Sequence, residues 1–371
     1  MKPSFARLVR ALWLVAAWVT PLAAQKWEVQ YFYDKQKSNL VIGDLQFPSA
    51  QRGVAVGVIQ EGKHQRPVSV VTSDGGAHWQ TAPLEEAPVS LFFLDDKLGW
   101  MVTDKGLWQT VEAGKSWHKL PRVPGEIYRV YFVDEKNGWA VGPKKIALET
   151  HDGGQHWTRL AAAADQPGLP VYSAYTCVAF ATKQLGLITG WNIPPKRFAP
   201  ERPDWVDPEG TLRQRETPHL SYTLATLDGG KTWKPGNASL FGTVTRIRLS
   251  PRGDGLGLIE YTQSFRYPSE VYSLDWTSGK TTTIYRDPGF AVSDIWLASD
   301  GAAYLSGNLV HGQLRGVLPG KVQVLTSRDY RNWTAIPVDY RAEANGTVLS
   351  AADDQNIWLA TDTGMILKLV R

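Results

Sequence analysis

Short runs of apolar and β-branched residues recur along most of the chain, in a sequence rich in Gly and Pro. Between positions 128 and 160 these runs are Tyr128–Val133, Gly138–Gly142, Ile146–Thr150 and His156–Leu160. Their length and composition predict β-strands, because they are too short for typical helices and favour residues that pack on a pleated sheet. The chain is therefore predicted to be all-β, with four short strands in each repeating unit.

A repeated motif lies where the third strand of each unit would turn into the fourth. It reads Thr-x-Asp-x-Gly-x-x-Trp, and its copies begin at Thr72, Thr110, Thr150 and Thr226. An aspartate in such a turn can accept backbone N–H hydrogen bonds, glycine permits a positive φ, and tryptophan packs into the interior of the repeating unit. The residues assigned to this structural role are Asp74, Gly76, Trp79, Glu112, Trp117, Asp152, Gly154, Trp157, Asp228, Gly230 and Trp233.

A functional reading of the same acids is the alternative to this structural one. Asp74, Asp152 or Asp228 could be catalytic or could bind a cation, but each copy of the repeat would then need the same site. Two further copies are degraded: Ser327–Trp333 has lost one residue and its glycine, and Ser273–Lys280 is worn down. Because the motif follows the repeat and not a single place in the chain, we expect its acid to serve the fold.

The number of repeats follows from the spacing of the motif tryptophans. Trp79, Trp117 and Trp157 are separated by 38 and 40 residues, close to the period of four-stranded propeller blades. The next interval fits one blade with an insertion, and the following one fits two blades. Wrapping the tail onto the head closes the ring, with Lys26–Phe32 as the outer strand of the last blade and residues 346–370 as its inner three. These spacings predict a seven-bladed β-propeller with Velcro closure.

The first 24 residues are predicted to be a signal peptide. Lys2, Arg7 and Arg10 form a basic region, Ala11–Val19 is apolar but too short to span a bilayer, and small residues precede Gln25. The propeller is expected to occupy residues 25–371 and to be exported to the periplasm or the extracellular space. No later segment is long and apolar enough to span a membrane, so we expect the protein not to be membrane-spanning.

Charge and cysteine content narrow the possible partners. The formal charge of +4 falls to +1 without the three basic residues of the signal peptide, which gives no electrostatic case for nucleic acid. The single cysteine, Cys177, cannot form an internal disulfide, and no zinc-site spacing occurs. We expect no cofactor and no metal, and a monomer.

The first candidate binding region is a Pro-rich insertion at about residues 192–219 of blade four. It is expected to rise over the face that carries the connections between blades, and its charges cancel. Its aromatic residues suit a partner protein or a sugar ring. The alternative is a lid that packs its own tryptophans onto the propeller. The candidate residues are Trp191, Arg197, Arg202, Trp205, Arg213 and Arg215.

The second candidate region is a ring of positions on the innermost strands, near the propeller axis. In chain order these positions are Asp44, Ser90, Arg129, Cys177, Arg246, Asp294 and Leu349. Asp44, Arg129, Arg246 and Asp294 could bind a polar or anionic ligand, since arginine offers paired donors. The alternative is that these acids and arginines pair with one another between blades.

The repeated turns resemble the Asp-box, or bacterial neuraminidase repeat. Combined with Phe93-Leu-Asp-Asp-Lys-Leu-Gly99-Trp100 and Phe132-Val-Asp-Glu-Lys-Asn-Gly138-Trp139, they resemble the photosystem II assembly and stability factor family. That resemblance implies a non-enzymatic scaffold with a membrane protein as partner. Sialidases also carry Asp-boxes, but the Phe/Tyr-Arg-Ile-Pro segment that precedes their first box is missing between Trp27 and Thr72. A carbohydrate-binding or carbohydrate-active propeller, a glycosidase or lyase with a glycan as its ligand, is the alternative.

Overall fold

A computed structural model describes residues 25–195, 218–261, 266–276, 278–310 and 319–371 of the chain. Nearly all regular structure in these ranges is β-strand. The strands, in chain order, are β1 (Lys26–Phe32), β2 (Asn39–Gln46), β3 (Gly53–Glu61), β4 (His64–Thr72), β5 (Gln80–Pro83), β6 (Pro88–Phe93), β7 (Gly99–Thr103), β8 (Gly106–Thr110), β9 (His118–Lys119), β10 (Arg129–Phe132), β11 (Gly138–Gly142), β12 (Ile146–Thr150), β13 (Thr158–Arg159), β14 (Ser173–Phe180), β15 (Gly186–Asn192), β16 (His219–Thr226), β17 (Lys234–Leu240), β18 (Thr243–Leu249), β19 (Asp254–Glu260), β20 (Ser269–Asp275), β21 (Lys280–Arg286), β22 (Phe290–Leu297), β23 (Ala303–Leu309), β24 (Gly320–Ser327), β25 (Thr334–Ile336), β26 (Glu343–Ala344), β27 (Thr347–Ala351), β28 (Ile357–Thr361) and β29 (Met365–Val370).

The described strands form seven antiparallel sheets, which are the seven blades of a propeller. Blades one to six take four consecutive strands each, starting at β2, β6, β10, β14, β18 and β22. Blade seven has the order β1-β29-β28-β27, so its outer strand comes from the N-terminal side of the chain and its inner three from the C-terminal side. Lys26 pairs with Val370 and Phe32 with Met365 across this junction. The predicted fold class, blade number and Velcro closure are confirmed.

Among the described residues, stacked aromatic pairs fill three of the seams between blades. In each pair, a tryptophan on the second strand of one blade lies flat against a phenylalanine that ends the first strand of the next blade or, in the case of Phe47, directly follows it. Such contacts add about 0.5–1.5 kcal/mol each beyond the burial of their apolar surface. The pairs and their ring-centroid separations are Trp100–Phe132 at 3.7 Å, Trp139–Phe180 at 4.3 Å and Trp358–Phe47 at 3.5 Å.

The repeated turn after each third strand is closed by its threonine and aspartate. The Thr72 hydroxyl accepts a 3.0 Å hydrogen bond from the Gly76 N–H, and Asp74 Oδ1 accepts a 2.9 Å bond from the His78 N–H. Gly76 has a φ of +97°, which an L-residue adopts only with strain. Backbone donation by His78, followed by its ring contact, lowers the pKa of Asp74 from 3.8 to about 2. The carboxylate therefore holds the turn in shape.

Equivalent bonds occur in the copies at Asp152 and Asp228, and the pKa of each carboxyl is likewise lowered to about 2. Glu112 differs, because it accepts a 2.6 Å bond from the Ser116 hydroxyl in place of a backbone bond. The tryptophan of the turn is half-buried and lies edge-on to the phenylalanine at the end of the inner strand of its own blade, or directly after that strand in blade one. These contacts are Trp79–Phe47, Trp117–Phe93, Trp157–Phe132 and Trp233–Phe180.

Three small elements were not predicted. A one-turn helix, Ala161–Ala164, and a 3₁₀ turn, Pro170–Tyr172, lie between blades three and four, and β26 adds a fifth strand to blade six by pairing with β24. Buried Gln166, in the same connection, reaches the outer half of blade four by donating to the carbonyls of Thr223 and Gly236. Among the described helices, none is long and apolar enough to cross a membrane.

Candidate ligand site on the propeller axis

The inner strands β2, β6, β10, β14, β18 and β22 bring the predicted ring of polar residues together at one level of the propeller. Five of these strands carry a β-bulge just before the ring position, as between Ile42 and Asp44 or between Val292 and Asp294. A bulge turns the following side chains relative to the strand and strengthens its twist. Asp44 and Asp294 are buried, and Arg129 and Arg246 are half-buried.

Several ring residues join neighbouring blades. Asp44 Oδ2 accepts a 2.8 Å hydrogen bond from the Leu91 N–H of blade two, while its Oδ1 accepts from the adjacent Leu45 N–H at 2.9 Å. The hydroxyl of Ser90 donates to the Tyr128 carbonyl at 2.7 Å, and the thiol of Cys177 donates to the Thr245 carbonyl at 3.2 Å. At these positions the polar ring residues therefore join the inner strands of neighbouring blades by hydrogen bonds.

Asp294 joins two blades through backbone hydrogen bonds and also forms ion pairs with two arginines. It accepts backbone bonds from Ile295 and, in blade seven, from Leu349 at 2.8 Å. The Arg246 and Arg248 side chains reach its Oδ1 at 3.3 and 3.4 Å. Burial disfavours the charged form of Arg246, but the combined fields of Asp294 and of the weaker neighbours Cys177, Glu260 and Asp44 outweigh burial and raise the pKa of the guanidinium. The predicted alternative of acid–arginine pairing thus holds for blades five and six.

Arg129 is different, since the described residues offer it no hydrogen bond and no ion pair. The carboxylate of Asp44 is in electrostatic range, but each of its oxygens already accepts a backbone N–H. Burial raises the pKa of Asp44, against the opposing pull of Arg129 and those two bonds. Burial, and then repulsion from Arg246, lower the pKa of Arg129. Within the described ranges, Arg129 is thus a cation near the axis without a carboxylate partner, and its partial burial costs free energy unless an anion binds it.

Two further residues extend the site toward the face that carries the repeated turns. Arg248 lies two positions beyond Arg246, and its guanidinium is 5.7 Å from the ring of Trp296, which lies two positions beyond Asp294. Trp296 also lines an open depression of about 670 Å³ formed by the first turns of blades five, six and seven. Neither residue is among the candidates predicted from the sequence, although the two-residue period of a strand places them on the same face as Arg246 and Asp294.

The ring position of blade seven corrects the sequence analysis. Leu349 donates its N–H to Asp294 as Leu91 does to Asp44, so Leu349 is equivalent to Leu91 and not to Ser90. The half-buried Val348 holds the ring position. The side chain of Leu349 lies in the buried cluster between blades six and seven. Neighbouring residues of a strand face opposite sides of the sheet, so an error of one residue in register puts a core residue at the ring position.

Of the candidate residues of the insertion, Trp191 alone lies in the part of the chain that the structure describes. Trp191 lies in β15, is half-buried, and shares a strand face with Leu187 and Thr189, which line the seam between blades four and five. The remaining five lie outside the described residues: Arg197, Arg202, Trp205, Arg213 and Arg215. In the ranges that the structure describes, no group of three or more His, Cys, Asp or Glu side chains is arranged to hold a metal ion.

Comparisons with known proteins agree with the resemblance seen in the sequence. No protein-family model matches the chain. A photosystem II assembly lipoprotein, Ycf48 of Synechococcus sp. strain CC9902, is 23% identical over 190 residues, and this match covers 49% of the chain and 47% of the relative. The Ycf48 photosystem II assembly protein of Thermosynechococcus vestitus is 22% identical over 256 residues, covering 65% and 68%. The chain thus spans about half the length of the first relative and two thirds of the second.

Solved structures give the same picture of the fold. YCF48 bound to a D1 peptide superposes with a TM-score of 0.58 at 15% identity, covering 92% of this chain and 99% of that one. YCF48 from Cyanidioschyzon merolae gives the same score and identity, covering 93% and 98%. At this identity the likeness establishes the propeller architecture. The predicted resemblance to photosystem II assembly factors is confirmed.

Proposed function

We propose that this protein is an exported, non-enzymatic β-propeller that binds a protein partner and acts as an assembly scaffold. The proposal includes a periplasmic or extracellular location and a membrane-associated partner. It rests on sequence relatives named as photosystem II assembly proteins, one of them as a lipoprotein, and on a structural neighbour with a bound peptide. A propeller keeps its blades while its loops and axis acquire new ligands, so the partner of this chain has to be inferred from its own site.

The observation that carries the site proposal is the guanidinium of Arg129, which has no ion pair among the described residues. An arginine near the axis without a carboxylate partner favours an incoming carboxylate, which can form paired hydrogen bonds with the planar guanidinium. The open depression beside Trp296 would give the rest of a peptide a mixed surface, with apolar side chains, polar turn residues and the acids Asp353 and Asp354, while Arg248 lies next to Trp296 at its edge. We therefore assign the axis to a carboxylate of the partner protein, either an acidic side chain or a chain terminus.

The carbohydrate-active alternative finds less support in the described residues. A glycosidase needs one carboxyl group to protonate the leaving group and a second to act as base or nucleophile. Asp44 and Asp294 are the axial acids, and every one of their oxygens accepts a backbone N–H. Using either of them for proton transfer would disrupt the carboxylate–backbone hydrogen bond that joins two neighbouring blades.

Affinity capture from the envelope of the source cell tests the scaffold proposal. The wild-type protein would be compared with Arg129→Gln and with Arg66→Gln, whose arginine pairs with Glu61 at the surface. We expect the wild type and Arg66→Gln to capture the same envelope protein and Arg129→Gln to lose it. Equal capture by all three would reject the axial site. Capture of no protein by the wild type, combined with binding on a glycan array, would reject the scaffold in favour of a carbohydrate ligand.

The insertion of blade four is proposed as a second contact surface for the same partner. Replacing residues 194–218 by a short Gly-Ser turn removes five of its candidate residues while keeping Trp191 and the strands of blade four. Loss of capture by this variant would place part of the interface on the face that carries the blade connections. Full retention would leave the axis as the partner site and assign no binding role to the insertion.

A further inference from the structure

The seam between blades four and five lacks the aromatic pair that fills three other seams. In blades two and three, a tryptophan follows the first glycine of the second strand, as Trp100 follows Gly99 and Trp139 follows Gly138. In blade four the residue after Gly186 is Leu187. On the facing blade, Leu249 ends its strand and pairs with Gly255. Phe132 and Phe180 hold the same position at the ends of their own strands. Both members of the stacked pair are therefore leucine here.

The turn above this seam is altered as well. At the filled seams, the tryptophan reaches under the next blade's repeated turn: Trp100 donates to the Gly153 carbonyl at 3.2 Å, and Trp139 packs beneath Gly230. Blade five carries the worn copy of the motif. Trp276 and Gly279 of that copy stand at the rim of the seam. The aromatic pair and the turn that covers it have been lost together.

A cavity of about 580 Å³ lies at this seam. Leu187 and Leu249 line it and are half-buried, whereas Trp100, Trp139 and Trp358 at the filled seams are fully buried. This volume falls within the roughly 300–1,000 Å³ typical of small-molecule sites. The walls are mainly apolar, with Leu240, Val244 and Ile259 among them.

A few polar groups also face the cavity. The buried hydroxyl of Thr189 has no hydrogen-bond partner among the described residues. Glu270 Oε1 accepts bonds from Thr283 at 2.5 Å and Arg286 at 2.9 Å, and its Oε2 accepts from Tyr261 at 2.5 Å. A carboxylate oxygen can accept two hydrogen bonds, so Oε2 retains capacity for another donor.

We propose that the seam between blades four and five is a binding site for a small planar aromatic molecule that carries a ring N–H, of the indole type. The position held by indole and phenyl rings at three equivalent seams holds only leucines here, and the cavity extends to the residues Leu227 and Gly279 of the repeated turns. Apolar walls favour a flat ring, and Thr189 and Glu270 favour a donor group on it. A ligand with a carboxylate is disfavoured, because it would lie against the charge of Glu270. This site is separate from the axial partner site and does not depend on it.

Indole itself is the probe for this proposal. Isothermal titration of the full-length protein with indole would be repeated with Leu187→Trp, which rebuilds the missing ring, and with Val111→Trp, which adds the same ring at an exposed position of blade two outside the cavity. We expect Leu187→Trp to bind indole about tenfold more weakly than the wild type, or not at all. Val111→Trp should bind within about threefold of the wild type. Leu249→Phe is the second filling variant, in case Leu187→Trp does not fold.

Indole-3-acetate tests the chemistry of the ligand in the same assay. It keeps the ring and adds a negative charge, so its affinity should be about tenfold lower than that of indole. The proposal is overturned if indole shows no binding to the wild type at millimolar concentration, if both filling variants bind it as the wild type does, or if indole-3-acetate binds as well as indole.

Discussion

Asp44 Oδ2 accepts a 2.8 Å hydrogen bond from the backbone N–H of Leu91, and this bond joins the inner strand of blade one to that of blade two. The same contact recurs between Asp294 and Leu349, which joins blade six to blade seven. In both places a carboxylate substitutes for the strand pairing that two blades cannot make with each other. The acids of the axis are thus part of what closes the ring, while Arg129 has no ion pair among the described residues and can bind an anion.

Replacing Asp44 by Asn should destabilise the protein by about 1–3 kcal/mol. The amide keeps the shape of the side chain, but only its oxygen can accept, so either the Leu45 or the Leu91 N–H loses its partner in a buried place. Urea unfolding measures the effect. The matched control is Glu28→Gln, whose carboxylate makes an exposed ion pair with Lys26. An equal, small change in both variants would show that the clamp does not stabilise the ring.

The carboxylates of the repeated turns predict a loss of stability in acid. The pKa values of Asp74, Asp152 and Asp228 are lowered from 3.8 to about 2 in the folded protein. A group whose pKa is depressed by folding contributes stability above its unfolded value, and this contribution is lost as the pH falls through the folded value. The urea midpoint should therefore fall between about pH 4 and about pH 2.

A variant with all three aspartates replaced by asparagine should start from a lower midpoint and show a shallower fall over the same range. An equally steep fall in this triple variant would assign the acid sensitivity to other carboxyl groups. Glu86 is one such group. Burial raises its pKa, but hydrogen bonds from Lys119, Thr103 and Trp108 outweigh burial and lower the pKa to about 2.

The closure of blade seven predicts a strong effect of Trp27. Its side chain is 2% exposed, packs in the cluster between blades six and seven, and its backbone N–H donates to the Pro337 carbonyl at 2.8 Å. Trp27→Ala should cost about 3–5 kcal/mol, and deletion of residues 25–33 should lower the melting temperature further. Lys26→Ala, at an exposed position on the same strand, should change it little. An unchanged melting temperature on deletion would contradict closure by β1.

The seam between blades seven and one offers a test of what the missing aromatic pair does. Trp358 is fully buried and stacks on Phe47, and Trp358→Leu would copy the arrangement that Leu187 has in blade four. We expect a loss of about 2–5 kcal/mol, because the stack and the buried apolar surface are both lost. Denaturant unfolding measures it. A loss below about 0.5 kcal/mol would mean that the stacked pairs contribute little to holding blades together.

The architecture could be read from the sequence because the signals that specify it are local and repeated. Four strand-like runs and one turn motif recur about every 40 residues, and Lys26–Phe32 could be assigned to blade seven by closing the ring. The register of blade seven could not be fixed in the same way. Blades two and three mark the end of the inner strand with Phe93 and Phe132, whereas Ala351 stands there in blade seven. Without the aromatic marker, the pattern predicts the ring position one residue late, at Leu349, where the structure has Val348.

The state of the axial site depends on contacts between distant parts of the chain. The sequence places Asp44, Arg129, Arg246 and Asp294 at one level of the ring, but their pairing is decided by which blades are neighbours and where the bulges fall. Asp294 can reach Arg246, since blades five and six are adjacent. Asp44 is occupied by backbone donors, and the part of the chain that the structure describes offers Arg129 no other carboxylate within ion-pair distance. Only the assembled ring distinguishes a paired arginine from one that can bind a ligand.

Photocrosslinking from the axis is the most direct measurement of the partner site. Trp296→p-benzoylphenylalanine would place a photoreactive ring beside Arg248, and Tyr340→p-benzoylphenylalanine, at a position that is 81% exposed, would serve as the control. After irradiation of intact envelopes, we predict a covalent adduct with one protein from position 296 that is absent from position 340 and is lost when Arg129→Gln is added. No protein adduct from position 296, or an adduct unaffected by Arg129→Gln, would contradict an axial site for the carboxylate of a protein partner.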